Sequence, residues 1–266
     1  MGLIDTHTHL ESFARRGELS AILHRAREAG LERMITIGTS TDDWELYRTL
    51  TEDSPDLVAY TVGLHPCSVG DDWAEQLAQM EAFWSAPSRP RPVALGETGL
   101  DRFHLPKDPV QAERIFNQQQ AAFAESLHWA QRLDTAVVVH SRGAFKTCVD
   151  MVDASGMDWS RVVFHCFVEG PDEMDTLLAR GGWGSFTGVL TYKNADSVRA
   201  ALKRQGASRL MLETDAPYLT PVPHRGKPNE PAYLVHTAEV AATTLELSPE
   251  ELARQSTQTA RAFFRL

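Results

Sequence analysis

Ala136-Val137-Val138-Val139-His140-Ser141-Arg142 is an apolar run that stops at a histidine. Short runs of this kind, bounded by polar residues, read as buried strands of a parallel sheet. The same form recurs along the chain, in Leu3 to His9, Arg33 to Gly38, Val58 to His65, Pro92 to Glu97, Arg161 to Phe167, Gly182 to Thr187 and Leu210 to Asp215. Helical patterns lie between them, over Leu19 to Ala29, Asp42 to Thr51, Trp73 to Trp84, Val110 to Arg132, Ala144 to Ala154, Pro171 to Arg180 and Ala195 to Arg204. In the longest, Phe116, Phe123, Leu127 and Ala130 fall on one helical face. Two more, Ala232 to Leu245 and Pro249 to Phe264, close the chain, the second with Ser248 as N-cap and Pro249 in its first turn.

Strict alternation of eight strands with helices predicts an α/β fold, a TIM-type (β/α)8 barrel rather than an open doubly wound sheet. The positions of the polar residues decide between the two. Nearly every strand has its His, Glu or Asp at the C-terminal end, which is the active-site face of such a barrel.

Composition agrees. The 266 residues are 42% apolar and 23% charged with no low-complexity tract, which excludes a disordered chain or a coiled coil and suits one domain over residues 1–266. The net charge of −10 argues against a surface that coats nucleic acid, though not against an enzyme that binds one phosphate at its site. Cys67, Cys148 and Cys166 are odd in number and far apart, so neither a disulfide framework nor a thiolate zinc site is expected. No apolar run is long enough for a transmembrane helix, and Met1 to Asp5 has neither a basic nor a long apolar region. The expectation is a cytoplasmic protein with no membrane association and no obligate protein partner.

In Ile4-Asp5-Thr6-His7-Thr8-His9, the alternation of a strand points His7 and His9 to one side and Thr6 and Thr8 to the other. Glu97, His140, His165 and Asp215 end further runs, and His65 ends the third. A histidine or acid repeated at strand ends is a poor core residue, because each would be buried at a cost without a partner. Four histidines and two carboxylates, His7, His9, Glu97, His140, His165 and Asp215, are enough for two divalent ions with positions left open for water and substrate. A carboxylate such as Glu97 can bridge two ions, and Asp215 is the best candidate for general base, a role compatible with that of ligand. Arg225 and Lys227, in a glycine-containing loop, are candidates to hold a phosphate, as is His65, which could instead donate to a leaving oxygen. Glu213 reads either as support for a ligand or as a buried structural acid. Phe103, Phe145, Phe167 and Tyr192 follow strand ends, where an aromatic ring can stack on an unpaired base or pack in the core. His24, His128 and His236 fall in helical patterns and read as surface or interhelical residues.

The motifs that carry these residues resemble the TatD family of metal-dependent deoxyribonucleases, within the amidohydrolase superfamily. They are Asp5-Thr6-His7-Thr8-His9, Gly63-Leu64-His65-Pro66, Gly96-Glu97-Thr98-Gly99-Leu100-Asp101, His140-Ser141-Arg142, His165-Cys166-Phe167 and Glu213-Thr214-Asp215-Ala216-Pro217-Tyr218-Leu219. Most particular to the family is Thr220-Pro221-Val222-Pro223-His224-Arg225-Gly226-Lys227-Pro228-Asn229-Glu230-Pro231. The resemblance implies the same six metal-holding residues, with Mg²⁺ or another divalent ion such as Mn²⁺ or Zn²⁺ as cofactor. It also implies hydrolysis of DNA phosphodiester bonds, often as a 3′ to 5′ exonuclease on single strands. Arg102, Val168 and Glu169 depart from the family pattern and bear on substrate preference. Two rival readings remain at this stage: the same barrel acting on an ester, amide or aminoacyl-tRNA bond, and a metal-stabilised nucleic-acid-binding protein without activity.

Overall fold

The computed structural model describes residues 2–266. Eight strands form: β1 (Leu3–Thr8), β2 (Leu31–Thr36), β3 (Val58–Tyr60), β4 (Ala94–Asp101), β5 (Ala136–Arg142), β6 (Val162–Phe164), β7 (Trp183–Phe186) and β8 (Met211–Leu212). The chain clusters into two compact units. The first comprises the N-terminal segment through Thr36, Ser54–Ala59 and His165–Leu266; the second comprises Ile37–Asp53 and Tyr60–Phe164.

In the first unit, β1 runs parallel to β2, with Ile4 opposite Arg33 and Thr8 opposite Thr36. The amide of Met34 donates to the Leu57 carbonyl just before β3. On the other side of β1 lies the segment that continues β8, where Asp215 N–H donates to the His7 carbonyl and His9 N–H to the Ala216 carbonyl, each at 2.8 Å. β8 in turn pairs with β7, Phe186 opposite Leu212. The N–H of Phe167, beyond β6, donates to the Ser185 carbonyl of β7. All six residues of β1 are buried, and the helix Pro249–Phe264 lies over it, with the Thr257 hydroxyl donating to the Gly2 carbonyl at 2.7 Å. Ser248 accepts from Glu251 N–H, the N-cap that its sequence predicts.

In the second unit, Val93 and Gly96 N–H groups donate to the carbonyls of Tyr60 and Val62, which sets β4 beside the end of β3. β4 and β5 run parallel, Ala94 opposite Ala136 and Asp101 opposite Arg142, and β5 continues to β6 with Val138 opposite Val163. Gly99 has φ +138°, and a Cβ there would sit 2.1 Å from the His140 carbonyl oxygen, so only glycine allows this approach of β4 to β5. The helix Pro109–Arg132 buries Phe116, Phe123, Leu127 and Ala130, the face its spacing predicts, and Asp108 caps it by accepting from Gln111 N–H.

Within each unit the strand pairings are parallel and join strands in sequence order, and the segment after β8 adjoins β1. This is the expected fold class, α/β of the TIM-type (β/α)8 barrel kind.

Several details differ from expectation. β3, β6 and β8 are shorter than their runs and end at Tyr60, Phe164 and Leu212, which leaves His65, His165 and Asp215 in the segments that follow. β4 does not end at Glu97 but continues to Asp101, because Gly99, Leu100 and Asp101 keep pairing with His140, Ser141 and Arg142. The helix expected over Trp73 to Trp84 is two, Trp73–Ala78 and Glu81–Ser85. The ladder tightens there, with Met80 N–H bonded to Leu77 and Phe83 N–H to Met80. A five-residue helix, Glu11–Arg15, has no counterpart in the periodicity because it is too short to repeat. Among the described residues, no helix is long and apolar enough to cross a membrane.

Candidate metal centres

In the first unit the alternation of β1 carries Asp5, His7 and His9 to one side. His7 is fully buried, and its Nε2 lies 3.3 Å from Nε2 of His9. The Asp215 carboxylate joins them, Oδ1 being 3.3 Å from His9 Nε2 and 3.7 Å from His7 Nε2. His165 stacks on His7, ring centroids 4.0 Å apart and 13° from parallel. Its Nδ1 stands 3.6 Å from Oε1 of Glu213. Burial works against charge on Asp215, but the hydrogen bond to His9 and the nearby His7, His9 and His165 prevail and lower its pKa.

Backbone and buried acids hold this cluster in place. Asp215 sits at φ +54°, a left-handed conformation that costs a non-glycine residue energy and is characteristic of functional positions. Asp5, fully buried, accepts from the N–H of Thr214 at 2.9 Å, the Thr214 hydroxyl at 2.6 Å and the His7 N–H at 3.2 Å. It thereby clamps β1 to the residue before Asp215. The Glu213 oxygens accept from Cys166 N–H at 2.5 Å and the Ser185 hydroxyl at 2.6 Å while facing His165.

In the second unit, Glu97 is 3% exposed and its Oε1 lies 2.7 Å from Nδ1 of His140. His65 approaches both, its Nε2 being 3.3 Å from His140 Nδ1 and 3.5 Å from Glu97 Oε1. Its other nitrogen, Nδ1, accepts from Cys67 N–H at 3.0 Å, so neutral His65 carries its proton on Nε2. His140 Nε2 points to Asp101 Oδ2 at 3.0 Å, and that oxygen also meets His104 Nδ1 at 2.8 Å. Burial tends to raise the Asp101 pKa, but the hydrogen bonds from His140 and His104 outweigh it and hold the carboxyl well below the usual range. Gln119 ties this arrangement to the long helix by accepting from Asp101 N–H and donating to the Pro66 carbonyl.

Both clusters have the donor chemistry of divalent metal sites: imidazole nitrogens and carboxylate oxygens turned toward one another. The first could hold an ion through His7, His9 and Asp215 with His165 beside them, the second through Glu97 and His140 with His65 beside them. Asp101 is absent from the sequence-derived candidates. It orients His140, the part that carboxylates play beside metal-binding histidines, and its signal lies in the Gly-Leu-Asp motif. Asp5 was also missed, although the two-residue period that relates His7 and His9 includes it.

Arg225 and Lys227 are exposed in a loop of the first unit. The Arg225 guanidinium lies 3.9 Å from the centroid of Tyr192. The loop is pinned at both ends. The Thr220 hydroxyl donates to the Lys227 carbonyl, and the Asn229 amide to the carbonyls of Thr214 and Tyr218. Arg102 lies over Phe116 at 3.8 Å, so its charge is engaged on the long helix. Of the other histidines, His24 pairs with Glu28 on the surface, and His236 meets His224 at 3.1 Å.

The family described as TatD related DNase matches residues 4–265. The chain is 31% identical over 270 residues to the uncharacterized metal-dependent hydrolase YcfH of Escherichia coli (strain K12), covering 100% of this chain and 97% of that one. It is 32% identical over 270 residues to a protein of Edwardsiella piscicida named 3′-5′ ssDNA/RNA exonuclease TatD, covering 99% and 100%. Among solved structures, YJJV, a TatD homologue from Escherichia coli K12, superposes with a TM-score of 0.88 at 27% identity, covering 99% and 98%. These similarities span the whole described fold and both clusters, and they bear out the resemblance read from the motifs. The chain belongs to the TatD related DNase family and is a metal-dependent hydrolase.

Proposed function

We propose that the protein hydrolyses phosphodiester bonds of DNA, as a 3′ to 5′ exonuclease on single strands, with one divalent ion at each cluster. The observation that carries the reading is the pair of histidine and carboxylate clusters, each with three or more donors. When bound, such ions supply Lewis acidity, lowering the pKa of water toward neutrality and neutralising phosphoryl charge.

The chain's own residues do the rest. Asp215, kept anionic by its histidine neighbours, accepts the proton of the attacking water. Arg225 grips phosphate oxygens as a fork and Lys227 as a point charge, with Tyr192 backing the guanidinium. His65, carrying its proton on Nε2, is the donor available in the second cluster. That some relatives bear the name ssDNA/RNA exonuclease supports a nucleic-acid substrate.

The test is cleavage of 3′-labelled and 5′-labelled single-stranded DNA in EDTA, Mg²⁺ and Mn²⁺, beside Asp215→Asn. Metal-dependent laddering that shortens from the 3′ end and disappears in the variant is the expected result. No cleavage by a protein shown to bind metal would contradict the reading and direct the search to ester, amide and aminoacyl-tRNA substrates.

A further inference from the structure

We propose that Phe103, backed by Arg142, is a stacking platform for a nucleobase of the substrate. The inference rests on the reading that the substrate is single-stranded nucleic acid. Phe103 is 67% exposed. A single exposed hydrophobic residue is ordinary on a protein surface, but this ring is held. The Arg142 guanidinium stands 4.1 Å from its centroid, and the His104 ring meets it edge-on at 5.0 Å and 84°. With the cation over the ring and the imidazole nearly perpendicular beside it, Phe103 still keeps 67% of its surface exposed.

The platform is tied to the second cluster through the chain. Phe103 follows Asp101 by two residues, and the Asp101 carboxylate holds His140. Arg142 follows His140 by two residues and is the register partner of Asp101. Arg102 N–H donates to the Arg142 carbonyl at 2.9 Å, joining the two short segments that present the ring and the guanidinium. A flat aromatic face beside an exposed arginine suits a nucleotide, the base on the ring and the phosphate near the charge, and such stacking tolerates any base sequence.

The other aromatic residues at strand ends do not offer this. Phe145 packs on Phe164 and Phe167 on Phe186. Tyr192 lies under Arg225, and its hydroxyl donates to the Thr220 carbonyl.

The test is fluorescence anisotropy on the metal-loaded protein, with a labelled phosphorothioate oligo-dT and an abasic strand of the same length and backbone. Wild type is expected to prefer the strand with bases by about 5- to 10-fold. In Phe103→Ala that ratio should collapse toward one, whereas Phe103→Trp should keep it and show fluorescence quenching with oligo-dT that the abasic strand does not cause. An unchanged ratio in Phe103→Ala, or no preference in wild type, overturns the platform while leaving the nucleic-acid reading intact. Binding of neither strand by wild type overturns both.

Discussion

Asp215 and His140 are each central to a cluster of histidines and carboxylates, yet the chain fixes them by different means. Around Asp215 the backbone does the work: its N–H bonds to His7, its φ is +54°, and buried Asp5 clamps the preceding residue to β1. Around His140 the side chains do it, in a relay from Glu97 through His140 to Asp101 and His104, whose ring is half-exposed. A centre held by backbone should be intolerant of folding defects. A centre held by a relay should lose metal affinity by steps when an outer member is removed.

The largest expected effect is that of Asp215→Asn, which keeps the shape and removes the anion. Turnover should fall by about 10²- to 10⁴-fold, measured as kcat on single-stranded DNA with metal saturating; retention of wild-type kcat would remove Asp215 from the proton transfer. Next comes Asp101→Asn, which leaves every proposed ligand in place and disturbs only the orientation of His140. A loss of about 10- to 100-fold in metal affinity is expected, read by Mn²⁺ titration, and the deficit should belong to one of the two ions.

Asp5→Ala tests the backbone clamp. Three donors lose their buried acceptor, so unfolding in urea should show a loss of about 1–3 kcal/mol. An equal loss on Asp101→Ala would erase the contrast between the clusters.

The smallest expected effect is a pH dependence of the EDTA-treated protein. Asp101 has a lowered pKa in the folded state, so its contribution to stability is present above the ordinary carboxylate pKa of about 3.9 and is lost as the pH falls through that value toward the folded one. Thermal unfolding followed from about pH 6 to about pH 3 should therefore decline less steeply in Asp101→Asn than in wild type. Parallel curves would show that the relay contributes nothing to stability.

The sequence carried the fold through its strand ends. His140 and His165 stand out because each interrupts a run of Val or Phe, and buried polar residues are too costly to arise there without a task. The pair His7 and His9 was legible from the period of two alone. Asp101 was not, since in sequence it lies beyond the expected end of its strand. The extension of β4 opposite Ser141 and Arg142 is a matter of register, which a single strand cannot express. The partners of Glu213 were equally hidden, because Cys166 and Ser185 come from the segment after β6 and from β7. Phe103, Phe145 and Phe167 look alike as residues after strand ends; only packing separates the exposed ring from the two that pack against other phenylalanines.

The most direct test of the account is the stoichiometry of Mn²⁺ bound per chain by wild type, His9→Ala and His140→Ala. Two ions in wild type and one in each variant is the expected result, since each substitution removes a ligand from a different cluster. A single ion in wild type, or wild-type stoichiometry in either variant, would contradict the claim that each cluster is a metal site.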